Sequence, residues 1–190
     1  MKQIQIAVNG RSFSRYEFYV EEALPNVLIT WLTDWLTKYI ETGVIFSDGQ
    51  ILQYGWSVFQ CRLKENCLRL FAPDFQCMPI EWIPDITKAL YILMEHKYVP
   101  ESFELDINIP SLQDTAIVGQ GFEALPIIMP RSEKSENNPQ DSGWFIGSFT
   151  EDIDNNEPSN LKLMTLYEVV LYTPHILRYL SMPLSNTDCV

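Results

Sequence analysis

The sequence predicts an α+β fold with antiparallel sheets, helices packed on one face, and two small abutting domains. Two observations lead to this prediction. Short segments of alternating apolar and polar residues occur along the chain, and Gly, Pro, Asn and Asp turn signals separate them. Longer segments repeat apolar residues at three- and four-residue steps, as amphipathic helices do. Helices laid over one face of an antiparallel sheet satisfy this order of elements.

Four strands and two helices are predicted in the first half. The strands cover residues 4–8, 44–46, 51–63 and 67–71. Asp48-Gly49 is a hairpin signal, and a change of apolar face near Val58 predicts a bulge or burial on both faces. The clearest helix spans residues 26–41. A second helix begins at Pro84 and is expected to end near His96, before Pro100.

The second half predicts shorter elements. Its strands cover residues 104–109, 116–118, 125–129, 143–147 and 161–164, and helical turns cover residues 167–171 and 173–180. Residues 130–142 contain no apolar core pattern and predict a mobile loop. We place the domain boundary at Pro110, which gives an N-terminal α+β domain of unassigned role at residues 1–109 and a second domain at residues 110–190.

Composition limits the classes of partner. The chain has 190 residues and a formal net charge of -12, which argues against a nucleic acid as the partner. The charge would favour association with a basic partner, but on its own it is more simply explained by solubility. Residues 1–10 lack the apolar core of a secretory signal, and no run is long enough to span a membrane. The four cysteines lack Cys-x-x-Cys spacing, and buried free thiols are the preferred interpretation, although Cys61 and Cys67 are near enough in sequence to face each other across a hairpin. These features favour a cytoplasmic protein.

Catalytic and metal-binding patterns are absent from the sequence. His96 and His175 are the two histidines, and neither belongs to a metal-ligand spacing. Gly119-Gln120-Gly121 lacks the third glycine and the helix of a phosphate-binding loop. The acidic run at residues 151–157 lacks the glycine of a calcium loop, so a solvated loop is favoured. We therefore expect no catalysis, no cofactor and no metal, while a hydrolase built from converging carboxylates stays an open alternative.

An ordered set of motifs in the last third resembles the immunity protein 33 domain family, found beside bacterial polymorphic toxins. The set consists of Ser142-Gly143-Trp144, the acidic stretch that ends in Pro158-Ser159-Asn160, and the final segment Pro174-x-Ile176-x-x-Tyr179-Leu180-x-x-Pro183. The resemblance covers roughly residues 112–190. It implies an immunity protein that binds and occludes a cognate protein toxin without catalytic turnover.

On this hypothesis an acidic and aromatic surface contacts the toxin, which is expected to be basic, as a nuclease is. The predicted contact residues are Trp144, Phe149, Glu151, Asp152, Asp154 and Glu157. The loop at residues 130–141 is expected to contribute, and burial of Trp144 in the core is the competing interpretation. The alternative function is a non-catalytic ligand-binding or adaptor module. The sequence leaves the oligomeric state open.

Overall fold

The structure, a computed structural model, describes residues 1–10, 12–150 and 152–184. It divides into two compact units, Met1–Glu95 and His96–Val190. Each unit contains a mixed sheet, and helices accompany both sheets. The predicted α+β class is confirmed, while the proposed domain boundary at Pro110 stays a prediction.

The sheet of the first unit has six strands. They are β1 (Lys2–Ala7), β2 (Arg15–Val20), β3 (Ile51–Tyr54), β4 (Ser57–Lys64), β5 (Cys67–Pro73) and β6 (Trp82–Ile83). The strand order is β1-β2-β5-β4-β3, and β6 pairs with β5. All pairs are antiparallel except β2 with β5, which is parallel. A parallel pair needs a crossover, and the long connection that contains the first helix provides it.

Two helices of 16 residues each begin in the first unit. The first, α1 (Asn26–Glu41), has the predicted bounds and buries leucines at positions 28, 32 and 36. The Tyr16 hydroxyl donates to the Thr33 carbonyl at 3.2 Å, so α1 packs on the face of β2 that carries Tyr16. The second, α2 (Thr87–Ser102), continues through Pro100, so the predicted end near His96 is wrong. Pro100 lies in the last turn, where its missing N–H removes only one helical hydrogen bond.

Two strand predictions in the first unit are wrong, and one strand was missed. Residues 44–46 form no strand, and β2 was not predicted. The single strand expected at residues 51–63 is two strands, because Gly55 adopts a φ of 60° and reverses the chain between β3 and β4. Cys61 pairs across the sheet with Leu70 and does not face Cys67, and both thiols are free and buried.

The sheet of the second unit has four strands in the order β10-β7-β9-β8. They are β7 (Thr115–Gly119), β8 (Ile127–Ile128), β9 (Asp141–Ser148) and β10 (Leu161–Thr165). The pair β7 with β9 is parallel, and the other two pairs are antiparallel. Residues 105–109 have no strand pairing, so the strand predicted at residues 104–109 is wrong.

A short helix and two 3-10 turns complete the second unit. They are α3 (Leu166–Tyr172) and the turns Pro158–Asn160 and Pro174–Tyr179. Thr165 and Glu168 form a reciprocal capping box, which satisfies two backbone donors at the start of α3. The Trp144 indole donates to the Leu180 carbonyl at 3.2 Å, so the C-terminal segment packs on the Trp144 face of the sheet. On the opposite face Ile117 and Leu163 stay exposed.

Candidate functional site

The open face of the second sheet carries a row of apolar side chains across three strands. Leu163 of β10 pairs with Ile117 of β7, and Ile117 pairs with Phe145 of β9. Cross-strand partners point to the same face of a sheet, so the three side chains are neighbours. Leu163 is 62% exposed and Ile117 is 47% exposed, and Phe145 is half-buried. We call these three residues the apolar row.

Two glycines beside the apolar row make room for the loop that follows β9. A Cβ atom on Gly119 would lie 2.8 Å from Asn155 Oδ1, and one on Gly147 would lie 2.7 Å from the same atom. Asn155 therefore lies directly over both backbones, and its Nδ2 donates to the Ser148 carbonyl at 2.8 Å. The loop at residues 152–157, which we call the acidic loop, is anchored beside the apolar row by this side chain.

Local hydrogen bonds shape the acidic loop. Asp154 Oδ1 accepts from the Asn156 N–H at 2.8 Å, and the Asp154 carbonyl accepts from Asn160 Nδ2 at 3.0 Å. Glu157 Oε1 accepts from the N–H and the hydroxyl of Ser159, at 3.2 and 3.0 Å, and caps the turn that follows. Both carboxylates stay exposed while making these bonds. The loop thus presents negative charge from a defined backbone.

Three of the predicted contact residues lie together in the acidic loop, and a fourth is close in sequence. Asp152, Asp154 and Glu157 are exposed, and Phe149 is 68% exposed at the end of β9. Glu151 lies outside the described residues. Their role in binding a partner stays a prediction. The acidic loop, with Asp152, Asp154 and Glu157, lies at one border of the apolar row, where a polar rim would surround an apolar centre.

Trp144 lies apart from these residues. It is 4% exposed, and alternation along β9 places it on the face opposite Phe145. The Arg131 guanidinium stacks over its ring at 5.2 Å from the centroid. Trp144 is therefore a core residue of the second unit, and any part it has in partner binding is limited to a small exposed edge. Sequence reasoning missed Phe145, although the alternation that buries Trp144 exposes the next residue.

Arg131 was expected in a mobile loop and is instead buried. Its Nε donates to the Ser142 carbonyl at 3.1 Å, and its Nη1 donates to the Asn108 carbonyl at 2.7 Å and to the Met182 carbonyl. Burial lowers the pKa of Arg131, and the charge of Asp114 opposes that shift. This one side chain ties three segments of the second unit together. The sequence carries no local signal for it, because its partners are distant backbone carbonyls.

A groove of about 930 Å³ borders this cluster. Its lining combines aliphatic, aromatic and acidic side chains, among them Leu105, Asp106, Ile107, Tyr179 and Leu184. The buried arginine lies behind the groove and its charge is used by backbone carbonyls. Among residues 1–10, 12–150 and 152–184, the side chains that line the groove include no histidine or cysteine.

The perturbed titratable groups are structural. The buried His96 imidazole lies 2.7 Å from the Leu177 carbonyl, and burial lowers its pKa to about 4 despite that bond. Burial also raises the pKa of the Cys61 thiol to about 12. Among residues 1–10, 12–150 and 152–184, no three His, Cys, Asp or Glu side chains are grouped so that they would hold a metal ion.

The second unit is the part of the chain that comparison with known families addresses. Its ordered motifs, the β10-β7-β9-β8 sheet and the acidic loop all lie within the residues that match a known family. Residues 95–185 match the Imm33-like domain. The resemblance to the immunity protein 33 family is confirmed, and the family description points to an immunity protein. No curated protein and no solved structure matches the chain.

The Imm33-like region begins one residue before the second compact unit and ends at the last described part of the chain. Immunity proteins as a class act on protein toxins and are in general not catalysts. No helix in the described portion combines the length and the apolar character that a bilayer crossing requires.

Proposed function

We propose that this protein is an immunity protein that binds a cognate toxin and blocks it by covering part of its surface. The observation that carries the proposal is the open face of the Imm33-like region, where the apolar row is bordered by the acidic loop. An exposed apolar patch with a polar rim is the usual composition of a protein interface. The toxin is proposed to be basic, and the complex is proposed to form in the cytoplasm.

The acidic loop and the apolar row have different tasks in this proposal. Negative charge raises the rate at which a basic partner arrives, and burial of apolar area slows its departure. We assign the effect on the arrival rate to Asp152, Asp154 and Glu157, because their carboxylates are exposed. We assign the slower departure to Ile117 and Leu163, because they are exposed and adjacent. No bond-making step is needed, and inhibition is stoichiometric.

The direct test is the association kinetics with the toxin encoded beside this gene. Asp152→Asn, Asp154→Asn and Glu157→Gln together remove three charges, yet each amide keeps an oxygen that accepts the loop hydrogen bonds. We expect the association rate constant to fall about tenfold at low ionic strength, with little difference in high salt. Growth rescue upon co-expression with the toxin provides the cellular readout.

A matched control removes three acidic charges elsewhere. Asp34→Asn, Glu41→Gln and Glu81→Gln change exposed side chains of the first unit by the same amount. We expect this variant to associate at close to the unmodified rate. Equal slowing by both sets would show that net charge alone matters, and no effect from the loop set would remove the acidic loop from the interface.

The alternative function is a non-catalytic ligand-binding or adaptor module, and the groove beside Tyr179 and Leu184 favours it. A module of this kind would not protect cells from any toxin. A toxin gene directly adjacent supports immunity, whereas an operon of metabolic enzymes supports the module. Failure of growth rescue together with retained binding of a small ligand in the groove would decide for the alternative.

A further inference from the structure

The first unit carries a basic surface that the proposed function does not use. On the face of the sheet opposite α1, four cations extend from three adjacent strands, and we call this surface the basic face. It consists of Arg15 on β2, Arg62 and Lys64 on β4, and Arg69 on β5. Arg62 is the direct cross-strand partner of Arg69, and Cys67 is the partner of both Arg15 and Lys64. The four side chains are therefore close neighbours.

This surface runs against the charge of the molecule. The chain has 13 Lys and Arg against 25 Asp and Glu, yet four of its cations gather here. Glu17 on β2 is a carboxylate that lies among these cations, and it is 2% exposed. It accepts from Gln3 and Gln5 at 3.0 and 2.9 Å and pairs with Arg69 at 2.6 Å. Through these contacts the Glu17 carboxylate pairs with one of the four cations, Arg69.

Of the other three cations, Lys64 forms an exposed ion pair with Glu65 at 3.8 Å, and Arg62 is held in an unfavourable arrangement. Like charges directly opposite each other in a sheet are destabilising, and Arg62 faces Arg69 in this way. Arg62 Nε donates to the neutral amide of Gln60 at 2.7 Å, and its guanidinium lies over the Phe71 ring. Within residues 1–10, 12–150 and 152–184, neither Arg15 nor Arg62 forms an ion pair. An external anion would relieve this repulsion.

We propose that the basic face binds a short acidic segment of another polypeptide chain. Adjacent strands lie about 4.8 Å apart, so the cations span about 10 Å, the length of about three extended residues. Guanidinium groups match carboxylates in a two-bond geometry. Arg62 is held in place by Gln60 and Phe71, and Arg69 by Glu17, which lowers the entropy cost of binding. This inference is independent of the toxin proposed above.

The same surface is poorly suited to a nucleic acid. Sites for single strands stack bases on exposed aromatic rings, and one face of Phe71 is already covered by Arg62. Four cations neutralise fewer phosphates than the roughly six to ten that duplex binding uses. The net charge of -12 repels a long polyanion more strongly than a short peptide. Carboxylates on a short segment are the ligand that these features favour.

Fluorescence anisotropy with labelled octaglutamate tests the inference on the full chain at low ionic strength. A triple variant, Arg15→Gln, Arg62→Gln and Lys64→Gln, removes three cations and leaves the Glu17–Arg69 pair intact. We expect its affinity for octaglutamate to fall about tenfold or more, since each exposed ion pair contributes modestly. Its melting temperature without peptide should equal or exceed that of the unmodified chain, because repulsion is removed.

The control variant removes three exposed cations elsewhere, through Lys38→Gln, Lys88→Gln and Lys162→Gln. It should bind octaglutamate as the unmodified chain does, and labelled octathymidylate should bind more weakly than octaglutamate. Absence of octaglutamate binding, or an equal loss in both variants, would overturn the basic face as a site. Tighter binding of octathymidylate would overturn the assignment to an acidic polypeptide. If the triple variant unfolds, Arg62→Gln alone replaces it with the same criteria.

Discussion

The outer faces of the two sheets carry opposite chemistry on the same kind of scaffold. In the first unit the open face presents arginines, with Arg62 and Arg69 side by side. In the second unit the open face presents Leu163, Ile117 and Phe145, bordered by carboxylates. Both sheets are mixed, and each contains one parallel pair of strands. The fold alone therefore does not determine what either face binds.

This difference shows how little an average charge says about a surface. A net charge of -12 suggests a surface that is acidic throughout, but four of the 13 Lys and Arg residues lie together on one face of the first sheet. The other face of each sheet is used for packing, through Tyr16 in the first unit and Trp144 in the second. Because stability is provided by the packed faces, the open faces are available for recognition. The predictions below test whether the packed faces provide the stability and the open faces the recognition.

The largest loss of stability is expected when a buried side chain of the second unit, Arg131, is replaced. Arg131→Met leaves the carbonyls of Ser142, Asn108 and Met182 without this donor, and we expect the free energy of unfolding to fall by about 3–5 kcal/mol. Urea denaturation measures the loss. Hydrogen exchange should show it in the second unit and leave the first unit protected.

Lys134→Met is the matched control for Arg131→Met. Lys134 is an exposed cation that pairs with Asp114 at 3.3 Å, and exposed pairs contribute about 0–1 kcal/mol. If both variants lose the same stability, the buried network has no special role. If Arg131→Met is as stable as the unmodified chain, the second unit does not depend on this side chain.

Acidification should destabilise the second unit more than the first, because both histidines lie in the second unit. The pKa of His96 is lowered to about 4 in the folded state, so the unfolded chain binds a proton more readily. Stability is therefore retained above the unfolded pKa of about 6.5 and is lost as the pH falls towards about 4. Between about pH 7.5 and about pH 5 the expected loss is about 2 kcal/mol.

His96→Gln is the control, because its amide donates to the Leu177 carbonyl and does not titrate in this range. The variant should lose the pH dependence assigned to His96, whatever its stability at neutral pH. Urea denaturation at the two pH values gives the comparison. An unchanged pH slope in His96→Gln would mean that other groups cause the acid sensitivity.

Sequence reasoning succeeded where a local pattern determines the element. The apolar stripe of α1, with Pro25 before it and Gly43 after it, predicted its bounds, and local patterns also predicted the strand β10 and the short helix α3. It failed where a single residue reverses the chain, as Gly55 does between β3 and β4. It also failed to predict the parallel pairs, since strand neighbours far apart in sequence leave no periodic signal.

The candidate site was predictable in part for the same reason. An acidic run interrupted only by Ile153 indicated the exposed loop, and this composition is enough for that prediction. The apolar row forms only because the strand register brings Phe145, Ile117 and Leu163 together. A register shift of one residue would turn the side chains of a strand to the other face. Arg131 looked like a loop residue because charged side chains are rarely buried.

A smaller effect on stability is expected when the basic face is made more basic. Glu17→Gln removes the partner of Arg69 and keeps the shape of the side chain, so we expect a loss of about 1 kcal/mol. The affinity for octaglutamate should rise about threefold, because one more cation becomes available. Denaturation and anisotropy measure the two effects. A fall in affinity would show that Glu17 organises the site more than it competes for it.

The smallest effect on stability should accompany a large effect on recognition. Ile117→Thr with Leu163→Thr keeps strand-compatible side chains, and exposed substitutions of this kind change stability by about 0.5 kcal/mol or less. Affinity for the cognate toxin should nevertheless fall about tenfold or more, since the apolar row is the proposed centre of the interface. Ile45→Thr with Ile51→Thr changes two exposed residues of the first unit as a control. Equal toxin affinity in both double variants would move the interface away from this sheet, even if the acidic loop still steers the partner.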